Sequence, residues 1–114
     1  MEASTALAEL VGLSTQVVEA VISTPEGHIE AARAATAERA TALVAAGSAL
    51  LETAGGMRAD GRVERVHVDL DRGSLVVCSD GERAIVGTTI AEPTAGLVAY
   101  DLRVALRRLR GAAA

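Results

Sequence analysis

The stretch from Ala34 to Ala54 constrains this chain more than any other. Its charges are confined to Glu38 and Arg39 near the start and Glu52 near the end, with twelve uncharged residues between them. Ala, Leu and Val dominate, Pro is absent and Gly55-Gly56 follows, which is the composition of a helix with a stop after it. Twelve residues fall short of the roughly 20 that span a bilayer. Spacings of three and four place Ala37, Ala40, Thr41, Val44, Gly47, Ser48 and Leu51 on one face. A second face carries Leu43, Ala46, Leu50 and Ala54. Only the line Glu38, Ala42, Ala45, Ala49, Glu52 is suited to water, and it is mostly alanine.

A helix apolar on two faces must be covered on two faces. A chain of 114 residues is expected to form a single domain over 1–114. One helix face can then lie on the protein's own sheet, leaving the other for a partner. The face containing Gly47 and Ser48, where a second backbone could approach closely, is the expected subunit interface. The alternative is a central helix wrapped wholly by its own domain.

Half the residues are hydrophobic, yet Tyr100 is the sole aromatic, so the core must be built from Ala, Val, Leu and Ile. Net charge is −4, and all 11 basic residues are Arg. An acidic chain with no basic run or stacking aromatics before its last helix is a poor nucleic-acid binder. The opening MEASTALAELVGL lacks the basic start and apolar core of a signal peptide, and no segment targets a membrane. A lone Cys78 rules out an intramolecular disulfide and fits a reducing compartment. The expected location is the cytoplasm.

Taken in order, Glu2 to Leu13 has Leu7, Leu10, Val11 and Leu13 on a helical spacing, with Ser4 or Thr5 as candidate caps. Val17 to Ala32 is predicted as a hairpin around Thr24-Pro25-Glu26-Gly27. In its first strand Val18, Ala20 and Ile22 face one way and Val17, Glu19 and Val21 the other. After the central helix, Met57 to Gly61 is a polar loop. Arg62 to Asp71 alternates as an antiparallel strand, with Val66, Val68 and Leu70 opposite Arg65, His67 and Asp69. Leu75 to Ser79 and Arg83 to Ile90 are two more strands, the latter apolar enough to be central. Thr94 is the candidate N-cap of a last helix that buries Val98, Leu102, Ala105 and Leu109, and whose end after Gly111 frays. The order α-β-β-α-β-β-β-α predicts an α+β fold, a five-stranded antiparallel sheet with helices on both faces.

Chemical motifs are sparse. A P-loop needs a Lys, and the chain has none; no glycine-rich dinucleotide fingerprint follows a strand. His28 and His67 sit on different elements without ligand-spaced neighbours, so no metal site is expected. Cys78 reads as a small buried hydrophobe, and the carboxylates Asp69, Asp71, Asp80 and Glu82 as turn and strand-end residues. Neither a catalytic residue nor a cofactor site is expected. The stripe Tyr100, Arg103, Arg107 and Arg110 on the last helix is a candidate docking surface for an acidic partner.

Several strings together resemble one family. The hairpin VVEAVISTPEGHIEA, the Ala/Leu-rich middle helix, the run VERVHVDLDRGSLVVCSDGERAIVGTTI and the closing AGLVAYDLRVALRRL are similar to the Roadblock family, also called the dynein light-chain or MglB-like family. The resemblance runs from about Glu9 to Leu109. It implies a profilin-like three-layer sandwich and a non-enzymatic protein that dimerises. Middle helices would pack together and the third strand of each subunit would pair with its mate. Carried onto this chain, the interface would comprise Ala37, Ala40, Thr41, Val44, Gly47, Ser48 and Leu51 with the strand residues Val63, Arg65, His67 and Asp69. The implied function is binding and modulation of a Ras-like small GTPase. The alternative is a structural adaptor, linking signalling or motor proteins regardless of nucleotide. A third reading, a ligand sensor, is disfavoured because no convergent polar groups are visible around a cavity.

Overall fold

Five strands pair in the order β2-β1-β5-β4-β3, every neighbouring pair antiparallel. The elements are α1 (Ala3–Leu13), β1 (Val17–Ser23), β2 (Ile29–Arg33), α2 (Ala37–Gly55), β3 (Arg65–Leu70), β4 (Gly73–Ser79), β5 (Ala84–Thr89) and α3 (Ala95–Gly111). This computed structural model describes residues 1–57 and 62–111. The expected loop from Met57 to Gly61 beyond its first residue, and the expected fraying of the last three alanines, fall outside the described residues. The helix-flanked five-stranded sheet is the α+β architecture that the order of elements predicts.

Each face of the sheet has its own core. On one side α1 and α3 cover Ala20, Ile22, Val76, Cys78 and Ile85, with Leu7, Leu10, Val98, Leu102, Ala105 and Leu109 supplying the helical half. On the other, α2 alone covers Val21, Val77 and Val86 through Ala40, Leu43 and Val44. Strand alternation explains the division, since neighbours such as Val21 and Ile22, or Val77 and Cys78, are all buried but in opposite cores. β5 is central, as its apolar composition suggests, and β3 is an edge.

The face of α2 that meets the sheet differs from expectation. Ala40, Val44 and Gly47, expected at a subunit interface, are buried inside the protomer with Leu43. A Cβ at Gly47 would lie 3.3 Å from both Val77 Cγ2 and Val86 Cβ, so the close backbone approach that this glycine permits is to the chain's own sheet. Ala37, Thr41 and Ser48 remain exposed, and Leu51 is half-buried against the core. The sheet therefore uses a stripe between the two faces read from spacing. What it leaves outward is the alanine line at Ala42, Ala45 and Ala49, flanked by Thr41 and Ser48.

Three local features also depart from the sequence pattern. A bulge between Val17 and Glu19 breaks the alternation of β1, so Val17 joins the α1/α3 core and Val18 is 55% exposed. Helix α1 begins after Glu2 with no side-chain cap, leaving Ser4 and Thr5 exposed within the helix. The expected third strand is shorter at both ends, and Val63 precedes it, near Gly55 at the end of α2. A cap unforeseen in the sequence starts α2, where Thr36 accepts the Arg39 amide at 3.0 Å.

Arg39 also anchors α2 to the sheet. Its Nε and Nη2 donate to both carboxylate oxygens of Glu19 at 3.1–3.2 Å, and Thr88 Oγ1 donates to Glu19 Oε1 at 3.0 Å. The Arg39 hydrogen bonds hold the Glu19 carboxyl below its ordinary value of 4.5, with burial opposing. A depressed carboxylate contributes stability above its unfolded pKa and loses it as pH falls through the folded one. Glu19→Gln should therefore lower the thermal midpoint at neutral pH, and the difference from wild type should shrink as pH falls below 4.5 and through the lowered folded pKa. Gly47→Leu should destabilise the protomer by about 1–3 kcal/mol through overpacking on Val77 and Val86, measured by chemical denaturation. The exposed Ala45→Leu should leave protomer stability nearly unchanged.

Candidate partner-binding site

Two surfaces carry the residues singled out in the sequence. The first is the β3 edge beside the outer face of α2. Glu64 accepts the Ser79 amide at 2.9 Å, one step beyond the register Arg65↔Cys78. Antiparallel alternation then turns the amides and carbonyls of Arg65, His67 and Asp69 away from β4, toward the free edge. Val66 packs against the α2 core and Val68, on the same face, is half-buried. Among the described residues the edge is thus unpaired in its backbone, and α2, which lies across the sheet, reaches β3 through Val66. Such an edge is a template for strand addition.

The side chains of His67 and Asp69 form a short polar line with β4. Asp69 Oδ1 lies 2.8 Å from His67 Nε2 and accepts the Ser74 hydroxyl at 2.9 Å. These contacts, the Ser74 hydrogen bond first, lower the Asp69 pKa. Ser74 itself is buried, its amide donating to Thr89 Oγ1 at 2.9 Å. The carboxylate sits between the imidazole and the hydroxyl, whereas activation of a serine requires the imidazole in that place. The line braces the end of the β3–β4 hairpin.

The second surface is α3. The expected stripe divides in two around the helix. Arg103, Arg107 and Arg110 line a cleft of about 200 Å³ with Arg62, Glu64, Ser79, Asp80 and Leu106. Tyr100, 53% exposed, instead lines an apolar groove against α1 with Leu10, Leu13 and Val104. Leu13 is 73% exposed at its rim. Polar groups therefore do converge on a cavity, contrary to the sequence expectation. Arg62 and Glu64 arrive there from the segment before β3, Ser79 and Asp80 from the end of β4, and the arginines from α3. Nothing local in the sequence pairs those segments.

Cys78 is fully buried beneath α3, its thiol 4.0 Å from the Ala99 carbonyl. Burial pushes the thiol up to about 11, the charges of Arg103 and Arg65 opposing only weakly. His28 is exposed at the β1–β2 turn, its amide donating to Thr24 Oγ1 at 3.1 Å. Among the described residues no group of His, Cys, Asp or Glu is arranged to hold a metal ion. Among them, too, no helix is long and apolar enough to cross a membrane.

The architecture is a three-layer sandwich of the roadblock and profilin type. It superposes on the Roadblock/LC7 domain from Streptomyces avermitilis with a TM-score of 0.84, covering 97% of each chain at 21% identity. Myxococcus xanthus MglB matches with a TM-score of 0.79 at 13% identity, over 94% of this chain and 84% of that one. Acanthamoeba castellanii profilin II is more distant, with a TM-score of 0.63 and 19% identity over 97% and 98% of the two chains. At these identities the likeness establishes the fold. Compared by sequence, the chain matches no protein-family model and no curated protein.

With its thiol raised to about 11 and out of solvent, Cys78 should resist iodoacetamide in the folded protein near pH 8. It should alkylate rapidly once denatured. Mass spectrometry of labelling against time checks this; fast labelling of the native protein would contradict the burial.

Proposed function

We propose that the protein is a non-enzymatic, single-domain dimeric scaffold of the cytoplasm that binds a Ras-like small GTPase and modulates its nucleotide state. The observation that carries the dimer is that the β3 edge, open among the described residues, and the alanine-rich outer face of α2 are both left uncovered. Two copies related by a two-fold axis can join β3 to β3 through Arg65, His67 and Asp69 while their α2 helices meet at Thr41, Ala45 and Ser48. Small side chains there allow close helix approach. In this arrangement Ala40, Val44 and Gly47 support the interface from beneath.

The GTPase reading is supported by the fold shared with MglB and by the exposed residues on the two sides of α3. Tyr100 offers apolar contact, and Arg103, Arg107 and Arg110 attract an acidic surface. Nothing marks one of these arginines as a catalytic finger, so the proposed action is docking that biases the GTPase between states.

Ala45→Glu places two like charges opposite one another across the proposed two-fold axis. It should weaken dimerisation at least about tenfold in sedimentation equilibrium, equivalent to about 1.4 kcal/mol, while circular dichroism remains that of a folded protomer. A wild-type monomer at high concentration, or an unaffected variant dimer, would contradict the interface. Ras-like GTPases from the source organism, loaded with GDP or a non-hydrolysable GTP analogue, test the partner. Micromolar binding that depends on nucleotide and weakens in Ala45→Glu is expected. Binding indifferent to nucleotide would replace this reading with the adaptor.

A further inference from the structure

The arginine cleft has a property that protein docking does not require. Three arginines elsewhere in the chain are neutralised locally: Arg39 by Glu19, Arg83 by Glu30 and, on α3 itself, Arg108 by Glu9. Arg103 and Arg107 precede Arg108 on the same helix, yet neither is in an ion pair among the described residues. Two carboxylates line the same cleft and do not reach them. Asp80 is committed elsewhere, its Oδ1 accepting the amides of Glu82 and Arg83 at 2.8 Å each. Its Oδ2 is buried without a hydrogen-bond partner, the nearest cation being Arg110 Nη1 at 3.9 Å. Asp80 thus fixes the β4–β5 turn and holds Arg110 at the cleft edge. Arg62 lies across the same turn, with Nη1 3.1 Å from where a Gly81 Cβ would be. Glycine at that position keeps room for the guanidinium.

We infer that this cleft is a binding site for a small doubly charged oxyanion, with a phosphate group the best match. Four guanidiniums against two carboxylates leave a local charge of +2 in a chain whose net charge is −4. A phosphate monoester carries roughly −1.5 to −2 at neutral pH and presents three acceptor oxygens. Arg103 and Arg107, one helical turn apart on the cleft wall, each carry the paired N–H donors with which guanidinium binds oxyanions best. The volume of about 200 Å³ admits the anion with part of the molecule that bears it. The buried Leu106 side chain borders the site and limits hydration on that side. Asp80 and Glu64 keep the anion toward the Arg103 and Arg107 arms. The site does not depend on the GTPase reading, because it needs only the protomer.

The test is titration of the full chain with inorganic phosphate, and separately with citrate, against sodium chloride of matched ionic strength. Calorimetry and the thermal midpoint by circular dichroism report binding. Side-chain Nε–H NMR signals of Arg103 and Arg107 report its place. Phosphate should give saturable binding that moves those two signals. The exposed double variant R103Q/R107Q should bind at least about tenfold more weakly, a loss of about 1.4 kcal/mol, while R33Q/R72Q should bind normally. Phosphate binding without citrate binding assigns a phosphate group, and binding of both assigns a broader oxyanion site. An effect no greater than that of matched chloride, or equal affinity in R103Q/R107Q, would overturn the inference. Unmoved Arg103 and Arg107 signals would do so even if the double variant proved unstable.

Discussion

The central strand β5 is clasped by two close approaches, and the rest of the molecule is arranged around them. On one side the α2 backbone at Gly47 comes down over Val86 and Val77. On the other, Leu102 of α3 sits over Gly87, where a Cβ would be 3.4 Å from its Cδ2. With the sole aromatic, Tyr100, exposed, there is no large ring to fill the spaces between layers. Val, Ala and Leu close those spaces only if the layers approach tightly, and interiors at native density leave little tolerance for added bulk. The glycines are where that requirement is met.

The same economy leaves two surfaces uncovered. One helix packs on the Gly47 side of the sheet and two pack on the other, so α2 must serve the sheet with its broad apolar stripe. Its outer face then carries only short side chains. The sheet ends at β3, whose outward backbone groups have no partner among the described residues. On the opposite layer, α3 is long enough to pass the end of β4, and its last turns carry arginines over the β4–β5 turn. Packing needs thus produce both a flat small-residue face, proposed for dimerisation, and a charged cleft, proposed for partner and anion binding.

The order of elements was legible because each has a clear period: 3.6 residues in the helices, two in Arg65 to Leu70, and turn residues between β1 and β2. The core stripe of α3 was readable for the same reason, since Arg and Asp mark its wet side. On α2 that contrast is missing. Alanine is acceptable in a core and in water, so periodicity could not tell which of three faces meets the sheet, and Gly47 was assigned outward. The bulge at Val17–Val18 was invisible because both residues are valine and either can be buried. The arginine cleft escaped for another reason. Its walls come from segments far apart in sequence, and only the antiparallel register of β3 with β4 brings Arg62 and Glu64 beside Asp80 and α3.

Hydrogen exchange at the β3 edge separates a β3-paired dimer from any other arrangement. In a protomer alone, the amides of Arg65, His67 and Asp69 face solvent and exchange as those of an open edge. In the β3-paired dimer they should be protected comparably to β5 at high protein concentration, with protection falling on dilution through the dimer dissociation range. Fast exchange at all three amides, in a sample shown by sedimentation to be dimeric, would mean the subunits meet elsewhere. The β3-paired dimer would then be wrong.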